Sequence, residues 1–297
     1  QLRRSLPAAS IYILNGVGRE SAERFHQARL IPVLNTIDEV RSWASIRHSA
    51  KHECALNIDT GMQRLGLEAE EFLTLVGNAA LLDNLQPVLV MSHLASSEVA
   101  DNPTNPAQLT RFNQLIRNLP ASFDACKFSL ANSSGIFLGG QYHFDLCRAG
   151  AACYGVNPQP TQTNPMQPVL TVSAPVIQIR TVRQASGVGY GGTASVAPGD
   201  RLAVIGAGYG DGYPRHASNH GQVQIGEWLA PVTGNVSMDL ITVNISHIPA
   251  GAIEVGDSAY LLNSQVTIDQ LAAAAGTIGY EILTTLAKGA QTEFRPG

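Results

Sequence analysis

Ser129-Leu-Ala-Asn-Ser-Ser-Gly135, followed after a spacer by Asp145-Leu-Cys-Arg-Ala-Gly-Ala-Ala-Cys-Tyr-Gly155, is the stretch from which the fold is read. Each half is a strand running into a turn of small residues. Phe128, Leu130 and Ala131 make an apolar strand, and Asn132-Ser133-Ser134-Gly135 supplies a helix start with residues able to cap it. Free N–H groups and hydroxyls at such a start form an anion site. The second half ends in Arg148-Ala149-Gly150-Ala151, where small residues let the backbone approach a ligand closely. An arginine beside two such turns points to a phosphorylated, planar ligand. Two ordinary strand–helix junctions of an α/β fold are the plain alternative.

Upstream of this stretch the same pattern recurs. Ile11–Leu14, Leu30–Leu34, Ala55–Ile58 and Val88–Met91 read as short apolar strands. Between them lie helical spacings over Arg19–Arg29, over the turns holding Val40, Trp43, Ala44 and Arg47 with Thr36 as cap, over Glu70–Leu82, and from about Asn105 to Leu119. Phe128–Ala131 and the segment around Leu146 complete the set. Strands and helices in strict alternation, with no Gly-x-Gly-x-x-Gly fingerprint, predict parallel βαβ units of a barrel and not a dinucleotide fold. About six units are legible where a closed barrel has eight. With an opening Gln1-Leu-Arg-Arg4 that lacks Met and a signal peptide, the deficit is expected at the N-terminus.

Downstream, Pro158–Pro168 reads as a linker. Beyond it Leu170–Val182 alternates as a long strand, and Leu202–Ile205, Val223–Ile225, Leu240–Ile245 and Tyr260–Leu262 are short strands separated by Gly, Asp and Asn turns. One late helix follows Thr267. The expected architecture is α/β: a partial TIM-type (β/α)8 barrel over residues 1–160, then a mainly β C-terminal domain over 161–297.

Composition narrows the function classes. A chain of 297 residues with 44% hydrophobic and 14% charged residues is a well-buried body and not a disordered one. A net charge of −4 leaves no footprint for nucleic acid or an anionic membrane surface. No apolar run reaches the roughly 18 residues of a membrane span. Cys54, Cys126, Cys147 and Cys153 show no metal-ligand spacing and read as buried free thiols of a reducing compartment, hence the cytoplasm. His93, at the end of the Val88–Met91 strand, has no second ligand at metal spacing, so a metal is not expected.

Ala131-Asn132-Ser133-Ser134-Gly135 with Asp145-x-x-Arg148-x-Gly150-x-x-x-Tyr154-Gly155 resembles the paired cofactor-holding segments of the alanine racemases, which are pyridoxal 5′-phosphate (PLP) enzymes built from a barrel and a β domain. Further blocks agree in order along nearly the whole chain. Asp59-Thr-Gly-Met-x-Arg64-Leu-Gly66 follows a barrel strand, and the resemblance implies that Arg64 binds the substrate carboxylate and approaches the phenolic oxygen of the cofactor; a guanidinium is suited to both. Asn57 stands where many members carry a carbamylated lysine, so no carbamate is expected, and its amide is left to bond Arg64 or to help hold an anion. By resemblance Arg148 faces the pyridine nitrogen, which a permanent donor keeps unprotonated, and His93 supports Arg148. Ser133, Gly150 and Ala151 are implied to hold the phosphate, with Tyr280 reaching it.

In the second half, the resemblance makes Tyr190, in Gly187-Val-Gly-Tyr-Gly-Gly-Thr193, the catalytic acid or base, delivered across the interface of a homodimer. Tyr209, in Gly208-Tyr-Gly-Asp-Gly-Tyr-Pro-Arg215, lines the entrance, and the backbone near Met238, in Asn235-Val-Ser-Met-Asp239, binds the substrate carboxylate. Members usually have arginine where Asn235 stands, and the tail Gln291–Gly297 lacks their Arg-x-Pro-Arg ending. The implied reaction interconverts L- and D-alanine by proton transfer between two bases, with the D-alanine destined for peptidoglycan. The second base and cofactor anchor is a lysine in a block this sequence lacks: Lys51, Lys127 and Lys288 are its only lysines, none in a matching context. Two rival readings are a broad-specificity or serine racemase, and a truncated, non-catalytic chain that binds PLP or complements a partner.

Overall fold

The computed structural model describes residues 1–18, 22–46, 51–286, 291 and 293. The expected helical residues Arg19 and Arg47, Lys288 and most of the tail lie outside them. The chain folds into two units, Gln1–Gly150 with Pro158–Gln162, and Ala151–Asn157 with Thr163–Gly297. The crossing is interlaced for a local reason. Asn157 N–H donates to the Asp269 carboxylate of the second unit (3.1 Å), whereas Gln159 Nε2 donates to the Ser97 carbonyl of the first (2.8 Å).

The first unit is a five-stranded parallel sheet of β1 (Ile11–Ile13), β2 (Leu30–Leu34), β3 (His52–Asn57), β4 (Leu85–Met91) and β5 (Lys127–Ser129), paired in chain order. Its helices are α1 (Leu2–Ser5), α2 (Ala22–Gln27), α3 (Ile37–Ala44), α4 (Ala69–Val76), α5 (Ala79–Leu82) and α6 (Thr104–Ile116). Strands buried on both faces are near-continuously apolar, and β2 shows why. Leu34 packs among the helices with Leu56, Val90 and Phe72, while its neighbour Val33 points the other way onto Ala55, Leu89 and Met91. Thr36 caps α3 as expected, its side chain accepting from Glu39 N. The helix expected over Glu70–Leu82 is two helices, because Asn78 breaks it and its side chain accepts from Leu81 N to start the second (3.1 Å).

The sixth expected strand, around Leu146, does not form. The segment is held against β5 by Asp145 N–H and Leu146 N–H, both donating to the Phe128 carbonyl, and by one parallel bridge between Asn132 and Arg148. Two donors spent on one carbonyl cannot propagate a ladder. The sixth position of the sheet is therefore filled by a bent segment, and it is the bend that turns Arg148 inward.

The second unit contains β6 (Val172–Thr181), β7 (Ser186–Val188), β8 (Ala194–Val196), β9 (Arg201–Ile205), β10 (Gln222–Ile225), β11 (Trp228–Pro231), β12 (Ile241–Asn244) and β13 (Ser258–Leu262), then α7 (Ile268–Ala274) and α8 (Gly279–Leu286). Six strands form one antiparallel sheet in the order β11-β10-β13-β6-β9-β12, and β7 with β8 is a separate hairpin. Val232 just after β11 bridges Val243 of β12, so the two edges of the sheet meet and close it around Val176, Ala203, Ile205, Val223, Ile225 and Val243. Closure removes the exposed edges that an open sheet must protect. β7, β8 and β11 are too short and glycine-flanked to be legible in the sequence. Of the four cysteines, all free, Cys54 and Cys126 are buried as expected; Cys147 is half-buried and Cys153 exposed, contrary to the expectation of four buried thiols. Among the described residues no helix is long and apolar enough to cross a membrane.

Candidate active site

Parallel strands leave all their C-terminal ends on one side of a sheet, the side on which barrel enzymes carry their chemistry. Here that rim is made by Asn35 after β2, Asn57 and the Asp59–Gly66 loop after β3, Ser92 and His93 after β4, Asn132–Gly135 after β5, and Arg148. Each loop has its own brace. The Asp59 carboxylate accepts from the backbone N–H of Gly61, Met62 and Gln63 (2.7–2.8 Å), which folds the turn that carries the exposed Arg64. Asn57 donates both amide hydrogens elsewhere, to Asn35 Oδ1 (2.9 Å) and to the Leu65 carbonyl (3.1 Å). Contrary to the sequence reading, it therefore neither bonds Arg64 nor has a donor left for an anion; it holds the loop one residue beyond that arginine.

Arg148 lies in a cage of neutral oxygens. Nη2 donates to the Ser92 carbonyl (2.6 Å) and the Leu130 carbonyl (3.3 Å), and Nη1 to Ser129 Oγ, which itself donates to the Leu146 carbonyl. No carboxylate pairs with Arg148 among the described residues. Burial lowers its pKa to about 10, so it stays a cation at neutral pH. A half-buried guanidinium with no carboxylate partner, whose Nε–H meets no described acceptor, keeps a donor for a ligand. His93 stands close enough to feel both arginines. Its pKa is lowered to about 4, first by burial and then by Arg148 and Arg64, so it is neutral above that. No hydrogen bond joins its ring to Arg148; the two are tied through the backbone of the neighbouring Ser92.

The turns of the opening stretch meet at one contact. Gly150 N–H donates to Ser133 Oγ (2.9 Å), and Asn132 Oδ1 accepts from Gly135 N–H to shape the turn (2.8 Å). That turn is a short 3-10 turn, Gly135–Leu138, and not the expected α-helix start. A Cβ built on Gly150 would meet no atom within 4 Å, so open space lies in front of the Ser133–Gly150 contact. Open space beside the Ser133–Gly150 contact, with a permanently charged arginine two residues before Gly150, fits a planar ligand that has a phosphate at one end and a ring acceptor at the other.

In the second unit the two glycine-rich blocks converge on the run Gly234–Asp239. Gly189, Gly191 and Gly192 all have positive φ and fold the loop so that Tyr190 projects, 73% exposed. Asn235 Nδ2 donates to the Tyr190 carbonyl (2.7 Å), holding that loop on one side of the run. On the other side Tyr209 N–H donates to the Ser237 carbonyl (3.0 Å) and Gly210 N–H to that of Met238 (2.8 Å). Tyr190, Tyr209 and Met238 are thus brought together, all substantially exposed. Ala151 and Tyr280 lie elsewhere in this unit. Ala151 opens the 3-10 turn Ala151–Tyr154, and α8, carrying Tyr280, begins against Val156, where a Cβ on Gly279 would stand 2.9 Å from Val156 Cγ1. Asn219, which sequence reasoning missed, couples the blocks: Nδ2 donates to Thr193 Oγ1 (3.1 Å) and Oδ1 accepts from Gly234 N–H (2.6 Å). It has φ +61, and nothing in its sequence neighbourhood marks it.

Among the described lysines, Lys51 precedes β3 and Lys127 begins β5, paired with Leu89 in mid-β4, so both are at strand starts and not on the rim.

Comparison with known proteins gives a single direction. A family model for the alanine racemase N-terminal domain matches residues 1–158, and one for the alanine racemase C-terminal domain matches residues 169–294. The chain is 43% identical over 288 residues to the alanine racemase of Acidiphilium cryptum, covering 96% of this chain and 78% of that protein. It is 39% identical over 280 residues to the alanine racemase of Rickettsia bellii, covering 93% of this chain and 67% of that protein. The crystal structure of alanine racemase from Bartonella henselae, with covalently bound pyridoxal phosphate, superposes with a TM-score of 0.88 at 34% identity, over 96% of this chain and 79% of that one.

Proposed function

The chain belongs to the alanine racemase family, and from that premise we propose that it serves the interconversion of L- and D-alanine with pyridoxal 5′-phosphate as cofactor. The observation that carries the reading is Arg148: a half-buried cation in a cage of neutral oxygens, with two N–H groups, one on Nε and one on Nη1, left for a ligand acceptor. The residues fit the group. Ser133 and Gly150 would hold the phosphate at the open turn, and Arg148 would donate to the ring nitrogen. Bound there, the cofactor supplies a carbonyl for the substrate amine and a conjugated ring that accepts the electron pair freed at the α carbon.

The other roles belong to this chain's own groups. Because Arg148 only donates, it would leave a ring nitrogen beside it unprotonated, limiting how far electron density could drain into the ring and so restraining side reactions. Neutral His93 adds no further positive charge beside Arg64 and Arg148. Arg64 binds the substrate carboxylate bidentately, and the backbone near Met238 presents a second donor to it. Tyr190 moves the proton at the α carbon from one face. The lysine for the opposite face is neither Lys51 nor Lys127, whose strand-start positions are described above. The projecting Tyr190, with Tyr209 and Met238 on the same exposed face, supports a homodimer whose sites are completed across the interface. The free cysteines agree with a cytoplasmic location.

The test is L-alanine racemisation by the protein purified from its own cells and loaded with pyridoxal phosphate. Tyr190→Phe is expected to lower the rate by about 10²–10⁴-fold, the range for losing a general acid–base. A near-normal rate overturns the assignment, and faster turnover of serine than of alanine moves it to a serine racemase.

A further inference from the structure

Helix α6 carries a polar side chain where its buried stripe calls for an apolar one. Gln108 precedes Phe112 and Leu115 on that stripe and is 1% exposed. Burying a primary amide is unfavourable unless each of its polar atoms is bonded. Here each one is: Nε2 donates to the His93 carbonyl (2.9 Å) and to Thr60 Oγ1 (3.1 Å), while Oε1 accepts from Ala95 N–H (2.8 Å). One side chain thereby clamps two rim loops, the one after β3 that leads to Arg64 and the one after β4 that carries His93. Arg111, one turn further along α6, adds a bond to the Thr60 carbonyl (3.0 Å).

Thr60 Oγ1 receives the Gln108 amide hydrogen and shares a second hydrogen bond with Ser92 Oγ, 2.7 Å away. The carbonyl of the same Ser92 accepts from Arg148 Nη2 at 2.6 Å. The place of that carbonyl fixes the guanidinium, and Gln108, through Thr60 and Ser92, fixes the place of the carbonyl. A side chain that only filled the core would not need this chain of bonds.

We infer that Gln108 is a positioning residue for Arg148: through Thr60 and Ser92 it holds the guanidinium in the orientation that serves the cofactor ring. The inference rests on the pyridoxal-phosphate reading above. Its test uses the full chain and pyridoxamine 5′-phosphate, which binds without a covalent link, followed by calorimetry, by absorbance titration of the bound ring nitrogen, and by thermal unfolding. Gln108→Leu is expected to weaken binding by roughly 10–100-fold, as losing a residue that orients a ligand-binding group does. The ring nitrogen, no longer facing a fixed cation, is expected to protonate at a pH higher by about one unit or more. Asn105→Ala is the control: Asn105 is equally buried on α6 but donates only to the Val99 and Ala100 carbonyls. It is expected to lower the melting temperature while leaving affinity and ring titration as in the wild type. If Gln108→Leu does not fold, Thr60→Val and Ser92→Ala, which cut the same chain of bonds, are read in its place. Matching affinity and titration in the Gln108 and Asn105 variants would reduce Gln108 to core packing and overturn the inference alone. No binding by the wild-type chain would overturn the cofactor reading and the inference together.

Discussion

The tightest seam in the second unit is where the Gly208–Gly212 loop meets Ser237 and Met238, and substituting its glycines one at a time tests whether that seam sets the site. A Cβ on Gly208 would fall on the carbonyl oxygens of both Ser237 and Met238, about 1 Å inside ordinary contact. The backbone there is extended (φ −157), so the clash alone acts in Gly208→Ala. Backbone on both sides cannot rotate away, which places the cost at the upper end of overpacking, about 3 kcal/mol. For a body of this size that is a loss of roughly 6–12 °C in melting temperature, at about 2–4 °C per kcal/mol. The series should be graded. In Gly210→Ala the Cβ would stand 3.0 Å from the Met238 carbonyl, a milder contact, while Gly140→Ala meets nothing within 4 Å and should be near neutral. Gly212→Ala should be at least as costly as Gly208→Ala, since φ +93 adds strain to a clash with the Thr285 carbonyl. Differential scanning calorimetry of the four variants gives the order. In the loaded enzyme, moving Tyr209 and Met238 by about 1 Å should also cost roughly 10²-fold in rate. Equal melting temperatures for Gly208→Ala and Gly140→Ala would refute the reasoning.

At Gly150, the open space predicts opposite effects on folding and on binding. Gly150→Ala should leave stability unchanged or raise it by about 0.4–1 kcal/mol, yet weaken pyridoxal phosphate by roughly 10-fold or more, because the new methyl group stands in the open space the phosphate needs; titration calorimetry beside a melting curve separates the two, and unchanged affinity would place the phosphate elsewhere. His93 predicts a pH dependence. With the folded pKa at about 4 and the ordinary value 6.5, the unfolded chain takes up the proton first as pH falls, so its contribution to stability is whole above about 6.5, declines through that window and is lost below about 4. The gap corresponds to at most about 3 kcal/mol, less what partial exposure screens. Urea denaturation from pH 7.5 to 4 should show a slope that His93→Gln flattens; identical slopes would mean the ring is not held neutral.

Strand and helix alternation over Ile11–Ser129 was legible because each strand is a short run of consecutive apolar residues, and residues with two buried faces need such runs wherever they sit in a sheet. The glycine-flanked blocks around Tyr190 and Tyr209, the arginine at 148 and the prolines after Asn157 were legible for the same local reason: each constrains its own backbone or carries its own charge. Gln108 left a weak trace, a polar residue on a helical stripe shared with Asn105, Phe112 and Leu115, but its partners Thr60, His93 and Ala95 are distant in sequence and share no spacing rule. Asn219 left none.

Local chemistry therefore settles which segments become strands, where the glycine turns fall and which residue types face the rim. It does not settle how a segment ends once a distant neighbour competes for its hydrogen bonds. The bend at Asp145–Arg148 exists because two N–H groups share the Phe128 carbonyl, the six-stranded sheet closes because Val232 reaches Val243, and Arg148 is aimed because a helix residue forty positions earlier fixes the carbonyl that receives it. Each is a long-range contact whose free energy appears only when the whole unit packs, so only the tertiary structure decides it.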